Sequence, residues 1–306
     1  MFLLCKVRVF LAVACSALCI TTAFAADMLP NGKVAFTDEF EPVLEIVDVK
    51  SGKITYSSVG PVFVRDLAYN KLKRVFALEA SGGHDDPSSI YLFWRASKKL
   101  TRIFHAKSYD DLMRPTFDPA GQYVYALNYG KGILRYPLAG GKWEKVKIVG
   151  KEVTAPQMLA FSRSGAYVAI SPSHFNSFLI AIVTADGLHV DREILTDFRY
   201  CTSPQWVGDD AIIFAGINPQ GISSLWKYNL SSGALEQLKT ASVAVRDFIS
   251  LSNDEQSVVF TGATGGKNAY WHLWLLKLDG SEPVQITKDR RVGGGEANDL
   301  HPVWLD

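Results

Sequence analysis

An all-β chain closed into a six-bladed β-propeller is the fold this sequence predicts, and three observations predict it. A phrase made of a large apolar residue, a polar turn and a β-rich apolar run recurs about every 45 residues; no stretch beyond residue 25 keeps helical periodicity; and the two ends hold complementary fractions of one repeat. A period in that range, with several short strands per repeat, is the mark of propeller blades, whereas a helical solenoid of similar period would need helical patterning.

Tyr69, Phe117, Phe161, Trp206, Leu251 and Trp304 anchor the successive copies, at spacings of 48, 44, 45, 45 and 53. After each of the first five comes a turn, such as Asp118-Pro119-Ala120-Gly121 or Ser162-Arg163-Ser164-Gly165, and then an apolar second strand, such as Tyr123-Val124-Tyr125 or Ile212-Ile213-Phe214. Third strands rich in aromatic and β-branched residues follow at 89–94, 178–183, 224–230 and 273–278, three of them ending in the turns Asp186-Gly187, Ser232-Gly233 and Asp279-Gly280. A shorter fourth strand closes the repeat, as in residues 236–240 and 284–287. Ahead of the first full anchor the N-terminal part supplies three strands, near residues 32–37, 44–49 and 53–57, and the C-terminal part supplies one, Pro302-Val303-Trp304. One plus three makes a sixth four-stranded blade, so strands from both termini are expected to close the ring and leave no long open edge.

Lys6 and Arg8 precede an apolar run from Val9 to Ile20, and Ala23-Phe24-Ala25 offers the small residues a signal peptidase reads. Residues 1–25 are therefore expected to be a signal peptide cleaved after Ala25, and residues 26–306 a single propeller domain in a periplasmic or secreted setting. Lipidation at Cys15 is disfavoured because Ala12 stands where a lipoprotein signal usually has Leu. Cleavage would leave 281 residues with 30 basic and 31 acidic side chains, so no basic field exists to hold nucleic acid, and no later run is long enough to span a membrane. Of four cysteines only Cys201 would remain, so the domain has no internal disulfide and a monomer must rest on its core. Its position ahead of an inner strand suits a buried apolar residue, not a nucleophile.

Pro115-Thr116-Phe117-Asp118-Pro119-Ala120-Gly121, the segment Leu273-Trp274-Leu275-Leu276-Lys277-Leu278-Asp279-Gly280, and Asn298-Asp299-Leu300-His301-Pro302-Val303-Trp304 resemble the repeat of TolB-type six-bladed propellers. The resemblance spans residues 28–306 as a repeat pattern and implies an exported scaffold that binds another protein. The α/β domain that precedes the propeller in TolB has no counterpart expected between Ala26 and Gly32.

In a propeller, the connections leading into the inner strands converge on the channel mouth. Here they carry Arg65 and Asp66; Asp110, Asp111 and Arg114; Thr154 and Gln157; Arg199 and Tyr200; Arg246 and Asp247; and Glu296, Asp299 and His301. Two readings stand side by side: pairing of Arg with Asp between blades, or a polar funnel that grips a peptide end or loop of an envelope or secreted partner, with Arg recognising carboxylates. The loop Gly82-Gly83-His84-Asp85-Asp86-Pro87 could hold a metal but reads first as a solvated hairpin, and Gly293-Gly294-Gly295 as a rim loop, so neither a metal nor another cofactor is expected. No G-x-S-x-G elbow is present, and a non-enzymatic binding module is the expected class. The alternative is a lactonase-like hydrolase or lyase working at the channel mouth, for which His301, Tyr200, Glu296 and Asp299 form the one plausible cluster.

Overall fold

The computed structural model describes residues 29–38, 42–83, 86–105, 107–108, 113–128, 132–151, 153, 155–173, 176–265, 270–288, 291–292, 295–296 and 298–305. The expected signal peptide thus lies outside the described residues, as do Asp110, Asp111, Thr154, His84, Asp85, Gly293 and Gly294.

Six sheets, each of at least four strands, are arranged as propeller blades, and no helix occurs among the described residues. Blade 1 runs from Phe63–Asn70 on the inside through Val75–Ser81 and Ser89–Trp94 to Lys99–Phe104. The inner strands of blades 2 to 5 are Met113–Phe117, Met158–Phe161, Tyr200–Val207 and Ala244–Leu251. Blade 6 takes its inner strand, Leu300–Trp304, from the C-terminal part and its other three, Lys33–Thr37, Val43–Asp48 and Ile54–Ser58, from the N-terminal part. The closing pair is antiparallel, with Val34 opposite Trp304 and Ala35 opposite Val303. Blade 3 departs from the four-stranded expectation, because Lys147–Val149, arriving from blade 2, adds parallel to Gly187–Ile194 as a fifth strand.

The second strands are the most apolar because they are covered on both sides by the neighbouring blades. Ser257–Ala263 is buried at every position, and Ala211–Ile217 at all but its last. Phe178, Phe214 and Trp226 pack between blades 3 and 4, and Phe260, Leu225 and Leu276 between blades 4 and 5. Burying one such side chain is worth roughly 1.5–3 kcal/mol, so the six seams together hold the ring without a crosslink. Cys201 lies within this core, fully buried, and burial raises its thiol pKa so that it stays protonated.

Each inner strand runs from an entry end, where the chain arrives from the preceding blade, to an exit end, where it turns into the second strand. Near the entry end the ladder slips: between Val64 and Asp66, between Met113 and Thr116, between Thr202 and Gln205, and between Val245 and Ile249. Such bulges re-aim side chains. At three of the inner strands the residue before a proline takes the left-handed conformation there: Arg114 (φ 50°), Ser203 (φ 52°) and His301 (φ 51°). Conformations of that kind cost about 1–2 kcal/mol for a non-glycine residue, and the surrounding blades hold them in place.

Candidate functional site at the channel entry

Counting back three residues from each anchor gives Asp66, Arg114, Met158, Ser203, Phe248 and His301, one per blade. All six line one cavity of about 300 Å³ at the entry end of the channel. The ring is lopsided. Blades 6, 1 and 2 contribute His301, Asp66 and Arg114, while blades 3, 4 and 5 contribute Met158, Ser203 and Phe248.

The charged half is tightly organised. His301 Nδ1 lies 3.0 Å from Asp66 Oδ1, which also accepts the Leu67 amide at 2.7 Å. Burial pushes the Asp66 carboxyl up, but the charge and hydrogen bond of His301, the charge of Arg114 and the Leu67 amide outweigh it and hold the group below its ordinary range. Opposite Asp66 in the ladder stands Glu79 of the second strand, whose Oε2 accepts the Arg114 amide at 2.9 Å. Burial and the neighbouring Asp66 charge raise its pKa. The Arg114 guanidinium acts on Asp66 in blade 1 and on Tyr200 in blade 4, so its charge is felt on both sides of the mouth. Its Nη1 is buried with no hydrogen-bond partner among the described residues.

In the other half the polar groups bond across the seam between blades 3 and 4. Met158 Sδ receives the Thr202 hydroxyl at 3.1 Å and the Ser203 amide at 3.0 Å. The Phe248 ring lies against that of His301, with centroids 3.7 Å apart.

Of the residues expected at the mouth, the structure brings Asp66, Arg114 and His301 into one site. Arg65 instead donates to the Asp86 carbonyl at 3.1 Å, and Arg246 stacks over Trp271 at 5.3 Å. Tyr200 is hydrogen-bonded to Asp247 of the next blade, and burial together with that carboxylate raises its pKa. The Arg199 side chain is exposed, and its amide donates to Ile217. Gln157 is buried, its amide bonded to the Ser171 carbonyl at 2.8 Å. Asp299 is fully buried, 3.4 Å from His272 Nδ1. Asp110, Asp111 and the side chain of Glu296 lie outside the described set, although the Glu296 backbone pairs with Arg291 in a short hairpin. Met158, Ser203, Phe248 and Glu79 went unrecognised in the sequence. The three-residue offset from the anchors would have found the first three, whereas Glu79 enters only through the register of the bulged blade 1 ladder.

At the exit end a second cavity, of about 490 Å³, opens among the turns. The exit turns around it are bonded from blade to blade: Lys71 to Asn253 at 3.2 Å, the Ser164 amide to Asp209 at 3.1 Å, and both the Gly208 amide, at 3.0 Å, and Arg163, at 3.3 Å, to Glu255.

No family model matches the chain, and no curated protein gives a significant match. Solved structures do match. TolB from Acinetobacter baumannii is similar at 15% identity and a TM-score of 0.67, over 89% of this chain and 66% of that one, so this chain spans just under two thirds of that relative. The putative TolB from Agrobacterium tumefaciens is similar at 12% identity and a TM-score of 0.62, over 89% and 92% of the two chains. Virginiamycin B lyase from Staphylococcus aureus is similar at 15% identity and a TM-score of 0.54, over 86% and 84%. At such identities the likeness is one of architecture. In fold, the chain is a TolB-like six-bladed β-propeller.

Proposed function

We propose that this protein is an exported, non-catalytic scaffold that binds an envelope or secreted protein through the entry mouth of its channel. One observation carries the choice of face: the polar groups of the exit turns bond to one another across blades, whereas the entry cavity holds Arg114 with a buried, unpartnered Nη1. A buried donor left unmade costs free energy that a partner's acceptor would recover. Export is supported by the Lys6 and Arg8 charges, the apolar run after them and the Ala23-Phe24-Ala25 site. The TolB-like architecture supports a scaffold role in general terms, and the partner's identity is open to direct capture.

A photo-crosslinking amino acid placed at Phe248, in the entry cavity, and separately at Leu72, exposed on the exit side, tests this in intact cells. The expected result is a discrete protein adduct from position 248, none from 72, and a mature N-terminus at Ala26. Retention of the chain in the cytoplasm, or adducts from the exit position alone, would overturn the proposal.

A channel enzyme is the second reading, and the Asp66–His301 pair is what favours it. A carboxylate 3.0 Å from one ring nitrogen fixes an imidazole as a base would need. One of the structural neighbours is itself a lyase. Loss of partner capture in His301→Gln with no turnover of any screened ester or lactone by the wild type would favour the scaffold.

A further inference from the structure

We infer that the entry cavity is built to receive a carboxylate carried on a compact apolar body, with Arg114 as its anchor; this rests on the reading of the entry mouth as a binding site.

Unused donor capacity remains at Arg114 in the cavity lining. Asp66 Oδ1 is taken up by His301 and the Leu67 amide, and Glu79 Oε2 by the Arg114 amide. Arg114 is left with a buried Nη1 that nothing in the described chain accepts. Its backbone is fixed by the left-handed bulge, by Pro115 and by Glu79, so the guanidinium is delivered to the mouth by a rigid strand, and little ordering is required on binding. A planar guanidinium offers the forked donors that match a carboxylate.

The charge balance sets the class of anion. Asp66 is engaged by His301 Nδ1 and the Leu67 amide, and the Arg114 amide sits on Glu79, which leaves the Arg114 guanidinium as the cation to be matched. A monoanion suits that balance, whereas a phosphate dianion would meet two carboxyl groups a few atoms away. The opposite wall supplies the apolar contact. On that side Met158, Leu159, Phe248 and Ile249 line the cavity beside Ser203 and Gln205, and the Ser203 amide is taken up by Met158 Sδ. A volume of about 300 Å³ lies at the small end of ligand cavities, which run roughly 300–1,000 Å³. That admits one arylalkyl carboxylate or the last residue of a peptide, but not a folded segment.

Calorimetric titration of the intact mature protein with N-acetylphenylalanine and with its amide tests the inference without any variant. The acid should bind and the amide should be weaker by about tenfold or more, the loss typical of a charged hydrogen bond. Arg114→Gln, checked for folding by circular dichroism, should lose the acid to the same degree. A tetrapeptide ending in phenylalanine, compared as free acid and as amide, separates the sources. Binding of the free-acid peptide at least as tight as the small acid points to a protein C-terminus, and binding of the small acid alone points to a free metabolite. Equal affinity for acid and amide, no binding of either acid, or unchanged binding by Arg114→Gln would overturn the inference. None of those outcomes would remove a protein adduct formed at position 248, so the scaffold reading is judged separately.

Discussion

Asp66 and Glu79 face each other across two hydrogen-bonded strands, and their surroundings drive them in opposite directions. Asp66 has a lowered pKa, so its contribution to stability is present above its ordinary value of 3.8 and is lost as pH falls below it. Glu79 has a raised pKa, and the sign reverses: the folded state holds its proton more tightly, so its contribution is greatest below the ordinary 4.5 and is lost as pH rises through the higher folded value. An amide at position 79 could still accept the Arg114 N–H while removing the charge beside Asp66. Glu79→Gln should therefore gain stability over the wild type, and the gain measured by urea unfolding should be larger at pH 8 than at pH 4.5. A gain that does not grow with pH would mean that burial and the Asp66 charge do not raise Glu79 in the fold. Glu79 also marks how far sequence reading reached. Asp66, Arg114 and His301 stood out as charged residues ahead of the anchors, but Arg65 and Arg246 stood out equally and point elsewhere: Arg65 because neighbours on a strand face opposite ways, and Arg246 because the bulged ladder between Val245 and Ile249 leaves it over Trp271. Met158 and Phe248 look like ordinary strand residues, and Glu79 reaches the site only through long-range pairing.

At the scale of strands and turns, the recurrent anchor was legible because a large apolar residue at fixed spacing has one physical cause, a seam between blades. The bulges were not legible, since one inserted residue is invisible to a period-two pattern. The exit turns show how the ring handles the same problem with different residues. Gly121 (φ 65°) turns against Asn70 of blade 1, where an added Cβ would run into the side-chain amide, so Gly121→Ala should destabilise through both strain and collision. Blade 5 places Glu255 at the same kind of left-handed position (φ 60°), where its carboxylate accepts the Gly208 amide at 3.0 Å and meets Arg163 at 3.3 Å. Relief of the left-handed strain in Glu255→Gly is worth about 1–2 kcal/mol, against roughly 1.5–3 kcal/mol for a hydrogen bond to a charged group. The largely exposed Arg163 pair adds about 0–1 kcal/mol. The balance favours a net loss near 1 kcal/mol for Glu255→Gly and almost none for Arg163→Ala, read from urea midpoints. If Arg163→Ala cost as much as Glu255→Gly, the ion pair would be the stitch and the Gly208 amide would not.

For the whole molecule, five residues at the C-terminal end decide whether six blades form a ring. Leu300–Trp304 completes blade 6 against Lys33–Thr37, and the Leu305 amide extends the pairing to the Lys33 carbonyl at 2.8 Å. The same strand reaches both neighbours: the Trp304 amide donates to Ser250 of blade 5 at 3.0 Å, and His301 meets Asp66 of blade 1 at 3.0 Å. Leu300 and Trp304 are both in the core, at 0% and 6% exposure. Truncating a buried Trp to Ala typically costs about 3–5 kcal/mol, which is already a large share of the roughly 5–15 kcal/mol that holds a domain folded. Deleting residues 298–306 also opens the edge of Lys33–Thr37 and unpairs Asp66. Trp304→Ala should therefore lower the urea midpoint strongly while leaving a folded monomer, and the deletion should lower the melting temperature further and produce association through the exposed strand edge, visible by light scattering. A deleted chain that melts with the intact one and stays monomeric would mean that blade 6 holds without its inner strand, and that the channel entry, including the His301 and Asp66 pair built across that joint, does not depend on ring closure.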